Sequence, residues 1–268
     1  MQDEMDSLYE NHTYELTELP KGKRALRNKW VYKLKPGDAG NPPRYKAHIV
    51  VKGFQQKKGV DFDEIIAPLA KMTSIRMVLS IAASMDLEVK QLDVKTAFLH
   101  GDLEEEIYMQ QPEGFVKKGK QILVCWLKKI YGLKQAPRKW YRKFNSFMTD
   151  HGYHKTHADH CVYVKKFDRG DFIILLLYVN DMLIDGRDSK KIRSLKKSWS
   201  ESFAMKDMGP TKQILGMHIV RDWTKKLLWL SQEKYVAKVL RSFSMADAKP
   251  VGSTLPTNYK LSGKQSPK

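Results

Sequence analysis

An α+β fold is what this sequence predicts, and three observations carry the prediction. An eight-residue apolar run, FIILLLYV at 172–179, breaks off abruptly in the polar pair Asn180 and Asp181. Several other short segments alternate as strands do, and helical apolar stripes lie between and after them. A hydrophobic fraction of 42% over 268 residues gives such a fold a real core.

In chain order, residues 1–28 read as a loosely patterned lead-in. Trp30–Lys35 and Tyr45–Phe54 alternate well enough to form a hairpin across the turn-rich segment from Pro36 to Pro43. Thr73 or Ser74 can cap a helix whose positions Ile75, Val78, Leu79 and Ala82 share a face, ending before Asp86. Val89–Val94 follows as a strand with Asp93 set among Val89, Leu92 and Val94. Pro137 suits the first turn of a helix carrying Trp140, Phe144, Phe147 and Met148, with Gly152 as its stop. After the hairpin around Asn180, Ser189 can cap a helix with Ile192, Leu195, Trp199 and Phe203 inward. Ser231 can cap another with Tyr235, Val239, Leu240 and Phe243 inward. The polar stretch 251–268 reads as a frayed tail.

The chemistry suggested by this layout centres on carboxylates. A charged group is rarely buried without a partner, so an Asp inside an apolar strand needs a cation, a hydrogen-bond network or an exit to a cleft. Asp93 and the Asn180–Asp181 tip are two such placements, and together they suggest one metal site. Taken singly, each reads first as an ordinary turn: a hydrogen-bonded turn carboxylate at Asp93 and a plain hairpin turn at Asn180–Asp181.

A series of longer motifs decides between those readings. KWVYKLK (29–35), RYKAHIVVKGF (44–54), QLDVKTAFLHGDLEEEIYMQQPEGF (91–115), YGLKQAPRKWY (131–141), LLYVNDML (176–183), QILGM (213–217) and LSQEKY (230–235) occur in one collinear order from about Trp30 to Leu255. In these the chain resembles the reverse transcriptase domain of copia-type retrotransposon polyproteins, particularly the plant lineage. The resemblance implies a right-hand polymerase: fingers, a palm with an antiparallel sheet, and a partial thumb over 29–250. It implies RNA-directed DNA synthesis with Mg²⁺ or Mn²⁺, dNTPs and an RNA or DNA primer-template. The family's full polyprotein also has protease, integrase and RNase H regions, so the chain is expected to be its polymerase piece.

The same resemblance assigns roles. Asp93 and the first residue of the tip pair become the principal metal ligands, with Asp181 in support; this chain departs from the pattern by carrying Asn180 where the family has Asp. Asn180 offers a carbonyl oxygen but no charge to offset two dications, and losing several kcal/mol of that stabilisation slows chemistry by roughly 10² to 10⁴ or more. The copy is therefore expected to be weak or silent, while Asn at a hairpin tip tolerates positive φ and spares the fold. Phe98, five residues after Asp93, falls where the family rejects a 2′-hydroxyl; read alone it is a core residue. Arg44, Lys46 and Lys52 are placed to reach triphosphate oxygens, and His48 stands where the family has a full-time cation. Lys134 and Gln135, after Gly132, are placed beside nucleotide and template, and Gly216 in the primer-holding hairpin.

Composition fits that reading. The formal charge is +18, and residues 186–268 hold 18 Lys or Arg against 6 Asp or Glu, a net +12 on less than a third of the chain. Such a balance points to a polyanion, most economically nucleic acid, with a solvated basic face as the plainer alternative. A catalytically silent nucleic-acid-binding remnant and a basic scaffold are the competing functions. Two cysteines, Cys125 and Cys161, form no disulfide framework or zinc pattern. His151, His154, His157 and His160 recur every third residue, a spacing that lacks the usual zinc-ligand pairing. With no N-terminal signal and no apolar run long enough to span a bilayer, a cytoplasmic particle or the nucleus is the expected setting, without secretion or a membrane partner.

Overall fold

The computed structural model describes residues 1–35, 42–129 and 132–249. The turn expected between Pro36 and Pro43 lies mostly outside them, as does the tail 251–268. The chain divides into two units, Met1–Thr211 with Asp222–Leu228, and Lys212–Arg221 with Trp229 onward.

The lead-in holds helix α1 (Gln2–Glu10) and short strands β1 (Tyr14–Thr17) and β2 (Ala25–Leu26). Strands β3 (Asn28–Lys35) and β4 (Arg44–Val51) pair antiparallel, Trp30 opposite Ile49 and Lys33 opposite Lys46. Period-two alternation places Trp30, Tyr32 and Leu34 on one face of this hairpin and Lys29, Val31 and Lys33 on the other. Helix α2 (Met72–Ser84) buries Ile75, Val78, Leu79 and Ala82, as its spacing predicts. The expected cap at Thr73 or Ser74 is corrected: both lie inside the helix, the N-cap is Lys71, and the Lys71 N–H donates to the distant Asp159 Oδ2 at 2.8 Å.

Strands β5 (Glu88–Val94), β6 (Ile107–Met109) and β7 (Val124–Leu127) come next, then helix α3 (Ala136–Asp150) with Pro137 in its first turn. Strands β8 (His154–Lys155), β9 (Val162–Lys166), β10 (Phe172–Tyr178) and β11 (Asp181–Gly186) lead into helix α4 (Ser189–Ser202). The α4 cap is Asp188, whose side chain accepts the Lys190 and Lys191 N–H groups, one residue before the Ser189 expected from sequence. Strand β12 (Met205–Pro210) completes a six-stranded antiparallel sheet in the order β12-β5-β11-β10-β9-β8.

One face of that sheet, through Leu92, Val94, Ile173, Leu175, Leu177, Met182 and Ile184, forms a single core with Trp140, Phe144 and Met148 of α3 and Ile192, Leu195 and Trp199 of α4. Helix α2 packs against β5, β10 and β11, and its buried residues lie outside that core. A second core joins Met5 and Leu8 of α1, Leu26, Ile49, Val51, Ile107, Cys125 and Leu127. It is built on the sheet β1-β7-β6-β2, in which only the β2–β6 pair is parallel.

Strands β13 (Gln213–Ile214), β14 (Met217–Asp222) and β15 (Leu227–Ser231) form one sheet in that order. All of their residues except Asp222, Leu227 and Leu228 belong to the second unit, as does helix α5 (Glu233–Ser242). The expectation that α5 turns Tyr235, Val239, Leu240 and Phe243 inward is corrected: no residue of the helix is buried, and Phe243 is 72% exposed. Helical spacing marks which residues share a face, but it does not say whether a partner layer covers that face.

Candidate active site at the hairpin tip

Strand β10 is apolar because it is the central strand of a layer covered on both faces, and Ile173 through Leu177 are all buried. The sheet ends where Tyr178 pairs with Asp181, leaving Val179 and Asn180 as a two-residue loop. Left-handed backbone falls on the first of them, Val179, at φ +60°, rather than on Asn180 as expected. A β-branched residue there is strained. Two bonds hold the strained loop: Trp140 Nε1 donates to the Val179 carbonyl at 2.7 Å, and the Val94 N–H donates to the Asn180 carbonyl at 2.9 Å.

Strand β5 lies next to β11 with Asp93 directly opposite Asp181. Directly opposed residues project to the same face, so the two carboxylates stand side by side at the end of the sheet. Asn180 completes the corner, its Nδ2 donating to Asp93 Oδ1 at 2.7 Å. Burial, then the Asp93 charge, pushes the Asp181 carboxyl above the usual range, against a hydrogen bond from the Gln91 side chain that favours the ionised form. Two adjacent carboxylates on rigid strands fit a hard divalent cation that completes its shell with water and phosphate oxygens. Among the described residues no group of three His, Cys, Asp or Glu could enclose a metal. Among the described residues the corner offers two carboxylates and the Asn180 amide.

The remaining candidate residues are distributed around this corner and beyond it. Phe98 sits in a short 3₁₀ turn, Ala97–Leu99, four residues past the end of β5, half-buried between the two cores. Lys46 is exposed on β4, and Lys52 is half-buried at the end of that strand. Arg44 is exposed and lies 3.3 Å from Asp3 of α1. His48 Nδ1 is 3.0 Å from both carboxylate oxygens of Glu4. Lys134 Nζ lies 5.0 Å from the Phe62 ring centre, and Gln135 is wholly buried. Gly216 takes positive φ with Leu215 in the two-residue turn between β13 and β14, in the second unit.

Of the spaced histidines, His154, His157 and His160 are exposed, and His151 lies 2.8 Å from the Phe147 carbonyl and 3.1 Å from Ser198 Oγ. Cys125 and Cys161 are free and buried, and burial pushes both thiols up to about 12. Among the described residues no helix is long and apolar enough to cross a membrane.

Two contributors to the site escaped the sequence. Trp140 reads as one member of an apolar stripe, and only its indole N–H, a polar group that a buried tryptophan must satisfy, hinted at more. Gln91 sits in the apolar strand beside Asp93, but nothing in that pattern gives its side chain a role.

Comparison with known proteins shows the family of the chain. The family described as reverse transcriptase (RNA-dependent DNA polymerase) matches residues 11–258. Over all 268 residues the chain is 63% identical to the retrovirus-related Pol polyprotein from transposon TNT 1-94 of Nicotiana tabacum, covering 20% of that protein. It is 36% identical over 263 residues to the Pol polyprotein from transposon RE2 of Arabidopsis thaliana, covering 18% of it. The chain thus spans about a fifth of the length of these relatives. Among solved structures, a foamy viral protease-reverse transcriptase in complex with double-stranded DNA aligns at a TM-score of 0.46 and 12% identity, over 91% of this chain and 39% of that one.

Proposed function

The chain belongs to the reverse transcriptase (RNA-dependent DNA polymerase) family, in the lineage of plant copia-type retrotransposon Pol polyproteins, and from that premise we propose that its hairpin corner is a nucleotidyl-transfer site impaired at one ligand. The observation that carries this reading is the register of Asp93 against Asp181, with Asn180 bonded to Asp93. In the same reading the β3–β4 hairpin serves as fingers, the six-stranded sheet as palm and the second unit as part of a thumb.

Asp93 and Asp181 would hold the divalent ion, which supplies charge neutralisation at the triphosphate and activates the primer 3′-hydroxyl. The chain's own residues do the rest. Strands β5 and β11 fix the two carboxylates on a rigid frame, and Trp140 keeps the β10–β11 loop from relaxing. Lys46, Lys52 and Lys134 supply cations for phosphate oxygens, and Phe98 bounds the space for the incoming sugar. The basic stretch 186–268 supplies salt-sensitive attraction for an RNA or DNA primer-template.

Asn180 favours a second reading, a nucleic-acid-binding remnant that holds primer-template without extending it. Its amide places a donor, and no charge, against the carboxylate that a cation would need. One assay separates the two. Primer extension on an RNA template with Mg²⁺ is compared for the parent chain and Asn180→Asp, beside duplex binding across salt. The impaired-polymerase reading expects a gain of about 10² or more in Asn180→Asp. Steep salt-dependent binding with no extension by either chain selects the remnant, and strong extension by the parent unimproved by Asn180→Asp refutes the impairment.

A further inference from the structure

We propose that Gln56, which no motif role covers, is the positioning residue for the Lys134–Gln135 turn. The proposal deepens the reading of this chain as a polymerase, since that turn is the one assigned to the nucleotide side. Gln56 follows the 3₁₀ turn Gly53–Gln55 that ends the β3–β4 hairpin, and it is only 5% exposed. Its Oε1 accepts the Lys134 N–H at 2.8 Å, and its Nε2 donates to Gln135 Oε1 at 3.0 Å. Gln135 Nε2 in turn donates to the Asp61 carbonyl at 3.0 Å. Both ends of each buried amide are thereby engaged, in a definite donor-to-acceptor order.

The fully buried Gln135 side chain therefore acts through this network, and the half-buried Lys134 supplies the turn's cation. Lys134 is held at three points: its N–H on Gln56 Oε1, its Nζ at 3.4 Å from the Gln56 carbonyl, and Nζ over the Phe62 ring. The two backbones also touch. A Cβ at Gly53 would run into the Gly132 carbonyl, and one at Gly132, where φ is +98°, into the Val51 carbonyl. Close backbone contact sets the distance between hairpin and turn, and Gln56 sets the orientation. A buried amide left with unmet partners is costly, so the arrangement is all-or-none rather than graded.

The test removes the amide while keeping the volume: Gln56→Leu, with Gln56→Met as a second variant should the first not fold. Amide hydrogen exchange on the parent background is expected to speed up about tenfold in 132–136, while the β10–β11 segment keeps its protection. On the Asn180→Asp background, the dNTP KM is expected to rise about tenfold with kcat changed less than threefold and duplex Kd unchanged. Unchanged protection at 132–136 overturns the proposal whatever the activity. Lost protection with an unchanged KM overturns the link between the turn and the nucleotide. If Asn180→Asp does not polymerise at all, the polymerase reading fails, and the exchange measurement alone decides whether Gln56 positions the turn.

Discussion

Asn180 Nδ2 donates to Asp93 Oδ1 at 2.7 Å, a neutral bond in the corner where the family pattern would set a third acid against two others. The bond removes a repulsion that an acidic tip must carry until a cation arrives. Asn180→Asp should therefore lower stability by about 1–2 kcal/mol in chelator, because a half-buried acceptor then faces an acceptor. Millimolar Mg²⁺ should recover most of that loss, since a cation that binds only the folded corner stabilises it. Urea denaturation of both chains, in EDTA and in Mg²⁺, checks this; an Asn180→Asp chain indifferent to Mg²⁺ would contradict it.

The Trp140 indole is the main restraint on the strained Val179 peptide. Trp140→Phe keeps an aromatic ring in the core but deletes the N–H, leaving the Val179 carbonyl without that donor. The expected cost is about 2–4 kcal/mol, combining the lost bond with a small cavity. On the Asn180→Asp background, extension should fall while duplex affinity holds. Chemical denaturation and single-turnover extension together check it, and a variant as stable and active as its parent would show that the bond restrains nothing.

How much of this was legible in the sequence follows from the range of each interaction. Helices α2 and α3 and the β3–β4 and β10–β11 hairpins rest on local periodicity and turn spacing, and they stand within a few residues of where the pattern put them. The opposition of Asp93 and Asp181 joins residues far apart in the chain. No local rule fixes that register: two carboxylates in apolar settings suggest a shared site, and the motif series is what ties them to one corner. The site of positive φ went to Val179 because strand register and the Trp140 bond fix the loop, overriding the intrinsic preference of Asn. Asp159 as a remote cap and Gln56 as a tie were invisible for the same reason: their partners, Lys71 and Lys134, lie in distant segments.

Asp159 is 6% exposed and works as a hub. Burial alone would raise its carboxyl, but hydrogen bonds from the Lys71 N–H, the Ser74 side chain and the Cys161 N–H hold it below the usual range. A depressed folded pKa means the ionised form is bound more tightly in the native state. Its contribution is therefore present above about pH 4 and fades as pH falls through the folded value. Asp159→Ala should cost about 1–3 kcal/mol at neutral pH, with α2 loosened first. The gap between parent and variant should shrink below pH 4 in urea titrations; a gap constant with pH would refute the ionic role.

Asp185 presents the opposite case. It lies on β11 with no exposed surface, opposite Ile174 and Val89, and neither carboxylate oxygen has a hydrogen-bond partner among the described residues. Burial pushes its carboxyl well above the ordinary range, so the folded chain keeps the proton that the unfolded chain gives up above about pH 4. Stability from this group is complete below that pH and is lost as pH climbs toward the folded value, by up to about 1.4 kcal/mol per pH unit. Asp185→Val replaces the acid with a β-branched residue suited to a central strand and should stabilise the chain by about 2 kcal/mol or more at pH 7. Asp185→Asn keeps a polar burial but removes the titration, so its stability should run parallel to that of Asp185→Val across pH 4 to 8 while the parent's falls away from both. Urea midpoints over that range decide it, and a parent curve parallel to the Asp185→Asn curve would mean the carboxyl ionises freely in the fold.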